Sequence, residues 1–227
     1  MIIIMLGAPG TGKGTVADVL EGKLGIKHIS TGDIFRKNIK EKTKLGIIAQ
    51  QYINEGNLVP DDVTIDVIKE RLEEPDVADG AILDGFPRTV KQAEALDKML
   101  QEKGKQVDLV IELMTPDDEI IERIVQRRVC SNQDCKAVYN LVLHPPKVEG
   151  ICDKCGSKLI KRKDDTEEIV KERLKNYFEL TSPLIEYYEK QGKIDKETVS
   201  VRINRLGEQV AKDVANKIKN NPNNIKL

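Results

Sequence analysis

The chain has almost no net charge: 37 Lys and Arg stand against 38 Asp and Glu, leaving −1 at neutral pH. Lacking a cationic excess, it is disfavoured as a general nucleic-acid binder or membrane-surface protein, and only local basic patches stay open. No apolar run approaches the ~18 residues that a membrane span requires. The most apolar stretch is the opening "MIIIML", with no basic segment before it, so the pattern of a secretory signal is missing too. A cytoplasmic, reducing setting is therefore expected. Histidine is scarce. His28 and His144 show no partner along the sequence, and both read as structural. Neither a Ser/His/Asp triad, a catalytic cysteine nor an internal repeat is apparent. What is present, 227 residues with 33% charged and 39% apolar, suits a well-solvated globule with a sizeable core. It fits one domain or a domain with insertions.

The strongest local signal follows the opening apolar run. Ile2 to Leu6 read as a strand buried on both faces, as in a parallel sheet. "GAPGTGKGT" comes next, from Gly7 to Thr15, and then Val16, Val19, Leu20 and Leu24 recur at helical spacing. Glycines between strand and helix let backbone N–H groups turn inward around an anion, and the helix N-terminus adds its positive end. Gly10, Thr11, Gly12, Lys13, Gly14 and Thr15 make up the part expected to hold a nucleoside triphosphate, with Lys13 supplying a mobile charge. The loop has the form GxxxxGK but lacks the usual Ser or Thr directly after the lysine. Gly14 stands there, and Thr15 comes one place later. A glycine-rich turn without a ligand is the plainer alternative.

Further strands are expected at 81–84, 107–113 and 199–203, with a weaker one at Lys27 to Ile29. Helical stretches between them predict a doubly wound parallel sheet. Ser30-x-x-Asp33 has the pattern of a helix start, as do Pro60-Asp61-Asp62 and Thr115-Pro116-Asp117. The last of these helices would carry Arg123 and Arg127 on one face. Asp84 closes the strand in "AILDGFPR", where ligands of open parallel sheets gather, and could hold Mg²⁺ directly or through water. The plainer alternative makes it a cap for a segment beginning near Thr89.

All four cysteines fall between residues 130 and 155, as Cys130-x4-Cys135 and Cys152-x2-Cys155 separated by sixteen residues. Two close pairs at that separation suit a tetrahedral Cys₄ zinc site, structural because four thiolates leave no open position. Two disulfides are the alternative in a secreted chain, and Asp134 or Asp153 could stand in for a thiolate. A nucleic-acid-binding zinc ribbon is the contrary reading, with "KLIKRK" as its basic patch.

In order along the chain, "GAPGTGKGT", "HISTGDIFR", "NLVPDD", "LDGFPRT" and "RRVC…HPPKVEG…RKDD" resemble the adenylate kinase family in its long-lid, zinc-carrying form. The resemblance implies reversible transfer of the terminal phosphoryl group from Mg-ATP to AMP, giving two ADP. It implies a P-loop NTPase-like α/β core over 1–29, 60–127 and 161–227, a helical NMP-binding insert over 30–59 and a zinc-binding lid over 128–160. Arg36 and Arg88 resemble the residues that hold the AMP phosphate. Arg127, Arg162 and Arg173 resemble those around the transferring phosphoryl group, the last two also reaching AMP. Arg123 resembles the residue packed on the ATP adenine, and Val138 and Tyr139 the lid turn that touches ATP. Thr31 and Gln92 match the pair that reads the AMP base, with Asn57, Leu58, Val59, Gly85, Phe86 and Pro87 around sugar and base. An amide can pair with the donor and acceptor edge of adenine, whereas guanine reverses that pattern. After Lys193 no ATP contact is expected on the match. A monomer with nucleotide partners only, bound neither to nucleic acid nor to membrane, is implied. Another monophosphate acceptor, GTP as donor, or a non-catalytic nucleotide sensor remain the competing readings.

Overall fold

The computed structural model describes residues 1–194 except Gln133, together with 199–200, 212, 215, 216 and 218. In chain order its first half runs β1 (Ile2–Leu6), α1 (Lys13–Leu24), β2 (Lys27–Ser30), α2 (Thr31–Glu41), α3 (Lys44–Asn54), α4 (Asp61–Arg71), β3 (Ala81–Asp84) and α5 (Val90–Gln101). There follow β4 (Leu109–Met114), α6 (Asp117–Val125), β5 (Arg127–Cys130), β6 (Val138–Asn140), β7 (Leu159–Ile160), α7 (Glu167–Asn176), α8 (Pro183–Glu189) and β8 (Val199–Ser200).

The main sheet is parallel in the order β2-β3-β1-β4-β8. Its central strand explains why the chain opens on consecutive apolar residues. Ile2, Ile4 and Leu6 join Ile68, Leu96 and Leu184 on one face, while Ile3 and Met5 join Val16 and Leu20 on the other. Every position of β1 is buried, as helices on both faces of a parallel sheet require. The strand expected at 199–203 is described only at Val199–Ser200, and the remainder lies outside the described residues.

Helices begin where their capping residues stand. The Ser30 side chain accepts from Asp33 N at 3.3 Å, and Thr89 accepts from Gln92 N at 3.1 Å. The α5 cap is therefore Thr89 itself, which leaves Asp84 for other work. Between β2 and β3, α2 and α3 pack so closely that a side chain on Gly46 would overlap the Asn38 carbonyl, with Phe35, Ala49 and Val59 as their core. Between α6 and α7, β6-β5-β7 form a small antiparallel sheet.

One expected helix ends early. Arg123 and Arg127 do not share a helix face, because α6 stops at Val125 and Arg127 opens β5. Strand pairing with β6, where Arg127 stands opposite Asn140, overrides the helical spacing.

Candidate functional site

The loop after β1 supplies the first wall. Gly7, Gly10 and Gly12 hold φ of 142°, 85° and 92°, backbone that L side chains rarely adopt, and α1 starts directly at Lys13. The Lys13 ammonium donates to the carbonyls of Gly7 at 2.7 Å and Ala8 at 2.9 Å, so it lies across the loop mouth. Burial, with Arg88, Arg173 and Arg127 nearby, lowers its pKa to about 8 despite the opposing charge of Asp84. Asp84 ends β3, in register with Met5 of β1 and Ser30 of β2. A side-chain carbon at Gly14 would stand 3.4 Å from its carboxylate, so that carboxylate lies beside the position where related loops carry a hydroxyl. Burial pushes the Asp84 carboxyl up, but His28, Lys13 and Arg88 outweigh it and hold the group below the usual range.

His28 has partners after all. Its Nδ1 lies 2.7 Å from Asp18 and its Nε2 3.7 Å from Asp84, too long for a hydrogen bond but close for a charge contact. Burial opposes protonation, yet the two carboxylates raise its pKa to about 9. The sequence hides this pairing because Asp18 is on α1 and Asp84 on β3. His144 also has a partner: its ring stacks on Tyr139, centroids 5.8 Å apart.

An open cleft, with about 580 Å³ of empty space counting the solvent at its mouth, lies between the core and the α2–α3 pair. Thr31, Arg36, Asn57, Leu58, Val59, Gly85, Arg88, Gln92 and Arg173 line it, bringing together nine residues expected at the acceptor. Phe86, Pro87 and Arg162, also expected at the acceptor, are not on that lining; Phe86 packs in the core at 1% exposure. Gly85 cannot carry a side chain there, since a Cβ would meet Thr31 Oγ1 at 2.6 Å and an Arg88 nitrogen at 2.9 Å.

The arginines are held by carboxylates that sequence reasoning passed over. Arg127 is bidentate on Asp165, with Nε donating at 2.9 Å, and Arg173 donates to Asp164 at 3.2 Å. Arg36 donates to Asp33 at 2.6 Å. Asp164 and Asp165 adjoin Arg162 in "RKDD", and that run of opposite charges was the available signal. Arg162 itself engages in no ion pair among the described residues; burial and the charges of Arg36 and Arg127 push it down to about 9. Arg123 lies within 3.5 Å of Glu119 and 3.4 Å of Thr115.

Beside the small sheet, whose β5 ends on Cys130, the four cysteines bring their sulfurs within 4.8 Å of one another. Cys130 and Cys155 are 3.4 Å apart, and Cys135 and Cys152 3.6 Å, with no disulfide between them. Sulfurs around a tetrahedral Zn²⁺ stand about 3.8 Å apart, so the donor set fits that ion. Tyr139 is turned into this cluster at 4% exposure, its hydroxyl 3.6 Å from Cys152 and accepting from Asp153 N at 2.8 Å. Only Val138 of the expected ATP-touching pair stands exposed, at 42%.

The description of the adenylate kinase family matches residues 5–193. An adenylate kinase of Streptomyces avermitilis is 53% identical over 192 residues, 85% of this chain and 87% of the relative. One of Acetivibrio thermocellus is 53% identical over 194 residues, 86% and 88%. One of Clostridium botulinum strain Langeland is 52% identical over 206 residues, 91% and 94%. The chain belongs to the adenylate kinase family. As an adenylate kinase family member it is a phosphotransferase of the nucleoside monophosphate kinase type, moving the terminal phosphoryl group of ATP to AMP. Another acceptor, GTP as donor, or a non-catalytic sensor is correspondingly not favoured. Among the described residues, no helix is long and apolar enough to cross a membrane.

Proposed function

We propose that Lys13, Arg88, Arg127, Arg162 and Arg173 surround the phosphoryl group in transit and neutralise the charge spread over it. Phosphoryl transfer needs positioning and electrostatics more than acid–base groups, and these five cations supply both. The observation carrying the reading is that these five cations outnumber the carboxylates among them, Asp84, Asp164 and Asp165. Arg162 lacks an ion pair among the described residues, and neighbouring cations, added to burial, depress both its pKa and that of Lys13. Dianionic and polyanionic phosphates would supply the missing countercharge.

On the donor side, Gly10 to Thr15 would wrap the ATP phosphates with backbone N–H groups, and Arg123 and Val138 would flank the base; Tyr139 serves indirectly, by packing the insert. Mg²⁺ entering with ATP would be held by Asp84 through water and would supply countercharge to the phosphates. On the acceptor side, Arg36 and Arg88 would take the AMP phosphate, and Thr31 and Gln92 the base. Asn57, Leu58 and Val59 would close around the sugar, with Gly85 giving room and Phe86 and Pro87 adjoining it. The core would span 1–29, 60–127 and 161–227, the acceptor insert 30–59 and the lid 128–160. Zn²⁺ on Cys130, Cys135, Cys152 and Cys155 would be structural. A cytoplasmic monomer completes the proposal.

The test is a coupled ADP-formation assay on Arg162→Ala alongside the parent chain. The expected loss is roughly 10²-fold or more in kcat, as for removal of one preorganised electrostatic group. A variant with full kcat would overturn the assignment of Arg162.

A further inference from the structure

Gln92 is 1% exposed, lines the acceptor cleft and has both ends of its amide committed. Its Nε2 donates to Asp61 Oδ1 at 2.8 Å, and its Oε1 accepts from the Arg88 backbone N–H at 2.8 Å. The same Asp61 oxygen accepts from the Thr89 hydroxyl at 3.0 Å, while that hydroxyl accepts from Gln92 N at 3.1 Å. We propose that Asp61 is a positioning residue which, with the Arg88 N–H, locks the Gln92 amide in one orientation and so sets the preference for adenine over a 6-oxo purine at the acceptor site. The inference rests on the assignment of Gln92 to the acceptor base made above.

The argument is one of donor and acceptor chemistry. An ionised carboxylate only accepts and a backbone N–H only donates, so the nitrogen must face Asp61 and the oxygen must face Arg88. Turning the amide over would set N–H against N–H and carbonyl against carboxylate. A primary amide carries two N–H groups and an oxygen with two lone pairs. Asp61 and Arg88 use one of each, leaving one donor and one acceptor. Thr31 adds to the pattern, because its hydroxyl donates to the Gly85 carbonyl at 2.9 Å and so keeps its oxygen free to accept. Adenine offers an amino donor beside a ring-nitrogen acceptor, which this pattern complements. A 6-oxo purine presents an acceptor where adenine has its amino group, and the locked amide cannot reverse to meet it. Asp61 opens α4 and Gln92 lies in α5, so the device exists only because those helices meet.

The experiment compares kcat/KM for AMP and IMP, which differ at the 6-position and the adjoining ring proton, in the parent chain, Asp61→Asn and Gln92→Ala. Asparagine at 61 can donate as well as accept, so the Asp61 half of the lock is lost and the Arg88 N–H alone favours one orientation. The expected result is an AMP-to-IMP ratio lowered about tenfold or more in Asp61→Asn, with KM for ATP held within about twofold. An unchanged ratio in Asp61→Asn, with a collapsed ratio in Gln92→Ala, would overturn the lock alone. An unchanged ratio in Gln92→Ala would overturn the underlying assignment of Gln92 to the base. A second measurement needs no variant. In the ¹⁵N-labelled parent chain, the two Gln92 side-chain protons should be displaced from their coil positions, and a coil-like pair would overturn the proposal.

Discussion

Asp165→Asn should lower the melting temperature substantially and do so less when nucleotides are bound. Asp165 has a fully buried side chain and takes a bidentate contact from Arg127, with Arg173 a further 3.9 Å away. Its backbone N–H donates to the Arg162 carbonyl at 3.3 Å, closing a turn, while its side-chain hold on Arg127 ties β5 to the start of α7. Asparagine keeps the volume and one acceptor but removes the countercharge of two guanidinium groups. Two unit charges 4 Å apart interact by about 4 kcal/mol at an effective dielectric of 20, and breaking a buried pair costs about 3–5 kcal/mol. The Arg127 side chain retains 17% exposure, so water recovers part of this and the low end, about 3 kcal/mol, applies. For a chain of this length each kcal/mol moves the midpoint by roughly 2–4 °C, giving a fall of roughly 6–12 °C. Differential scanning calorimetry measures it, without ligand and with a saturating ATP, AMP and ADP mixture. Phosphates placed among the same arginines supply countercharge, so the deficit should shrink with nucleotide. A fall of under about 2 °C would refute the buried-pair reasoning. A deficit that nucleotides leave unchanged would refute the placing of phosphates beside Arg127 and Arg173.

Lys13→Met should cost roughly 10²–10³-fold in kcat while leaving the melting midpoint unchanged or slightly raised, because burial already disfavours the charge. A variant of near-parental activity would remove the loop lysine from the mechanism. The free chain holds Lys13 at a pKa of about 8, and incoming phosphates raise it, so the bound state carries more protons. ATP binding near pH 9 should therefore take up a proton, read by calorimetry in buffers of different ionisation heat; equal heats in all buffers, or an uptake that persists in Lys13→Met, would contradict this. Purified protein should carry one zinc per chain, and Cys152→Ser should loosen the insert before the core. Metal analysis and hydrogen exchange check this, and a zinc-free preparation with native protection in the insert would oppose a structural ion.

Local patterns announced their features well because each is set by backbone within a few residues. Apolar residues in unbroken succession made β1 central, glycines at Gly7, Gly10 and Gly12 allowed the loop its left-handed turns, and Ser30 and Thr89 capped helices as their hydroxyls dictate. The cysteine spacing announced two close pairs, but the sulfurs that approach each other, Cys130 with Cys155 and Cys135 with Cys152, are 25 and 17 positions apart and met only through the folding of the insert. Partner choice among charges was also long-range. Asp61 reaches Gln92 across 31 positions, Arg127 reaches Asp165 across 38, and His28 stands between Asp18 and Asp84. The early end of α6 likewise depended on β5 finding β6. A carboxylate has no directional signature along a sequence, and any of 38 could have faced a given cation. Which pairs formed was decided by the packing of helices on the sheet, because only burial makes one charge pairing far more favourable than its rivals. The sequence thus determined the loop, the two close cysteine pairs and the alternation of strand and helix. The tertiary structure decided which acid holds each arginine, where Tyr139 points and how the Gln92 amide is turned.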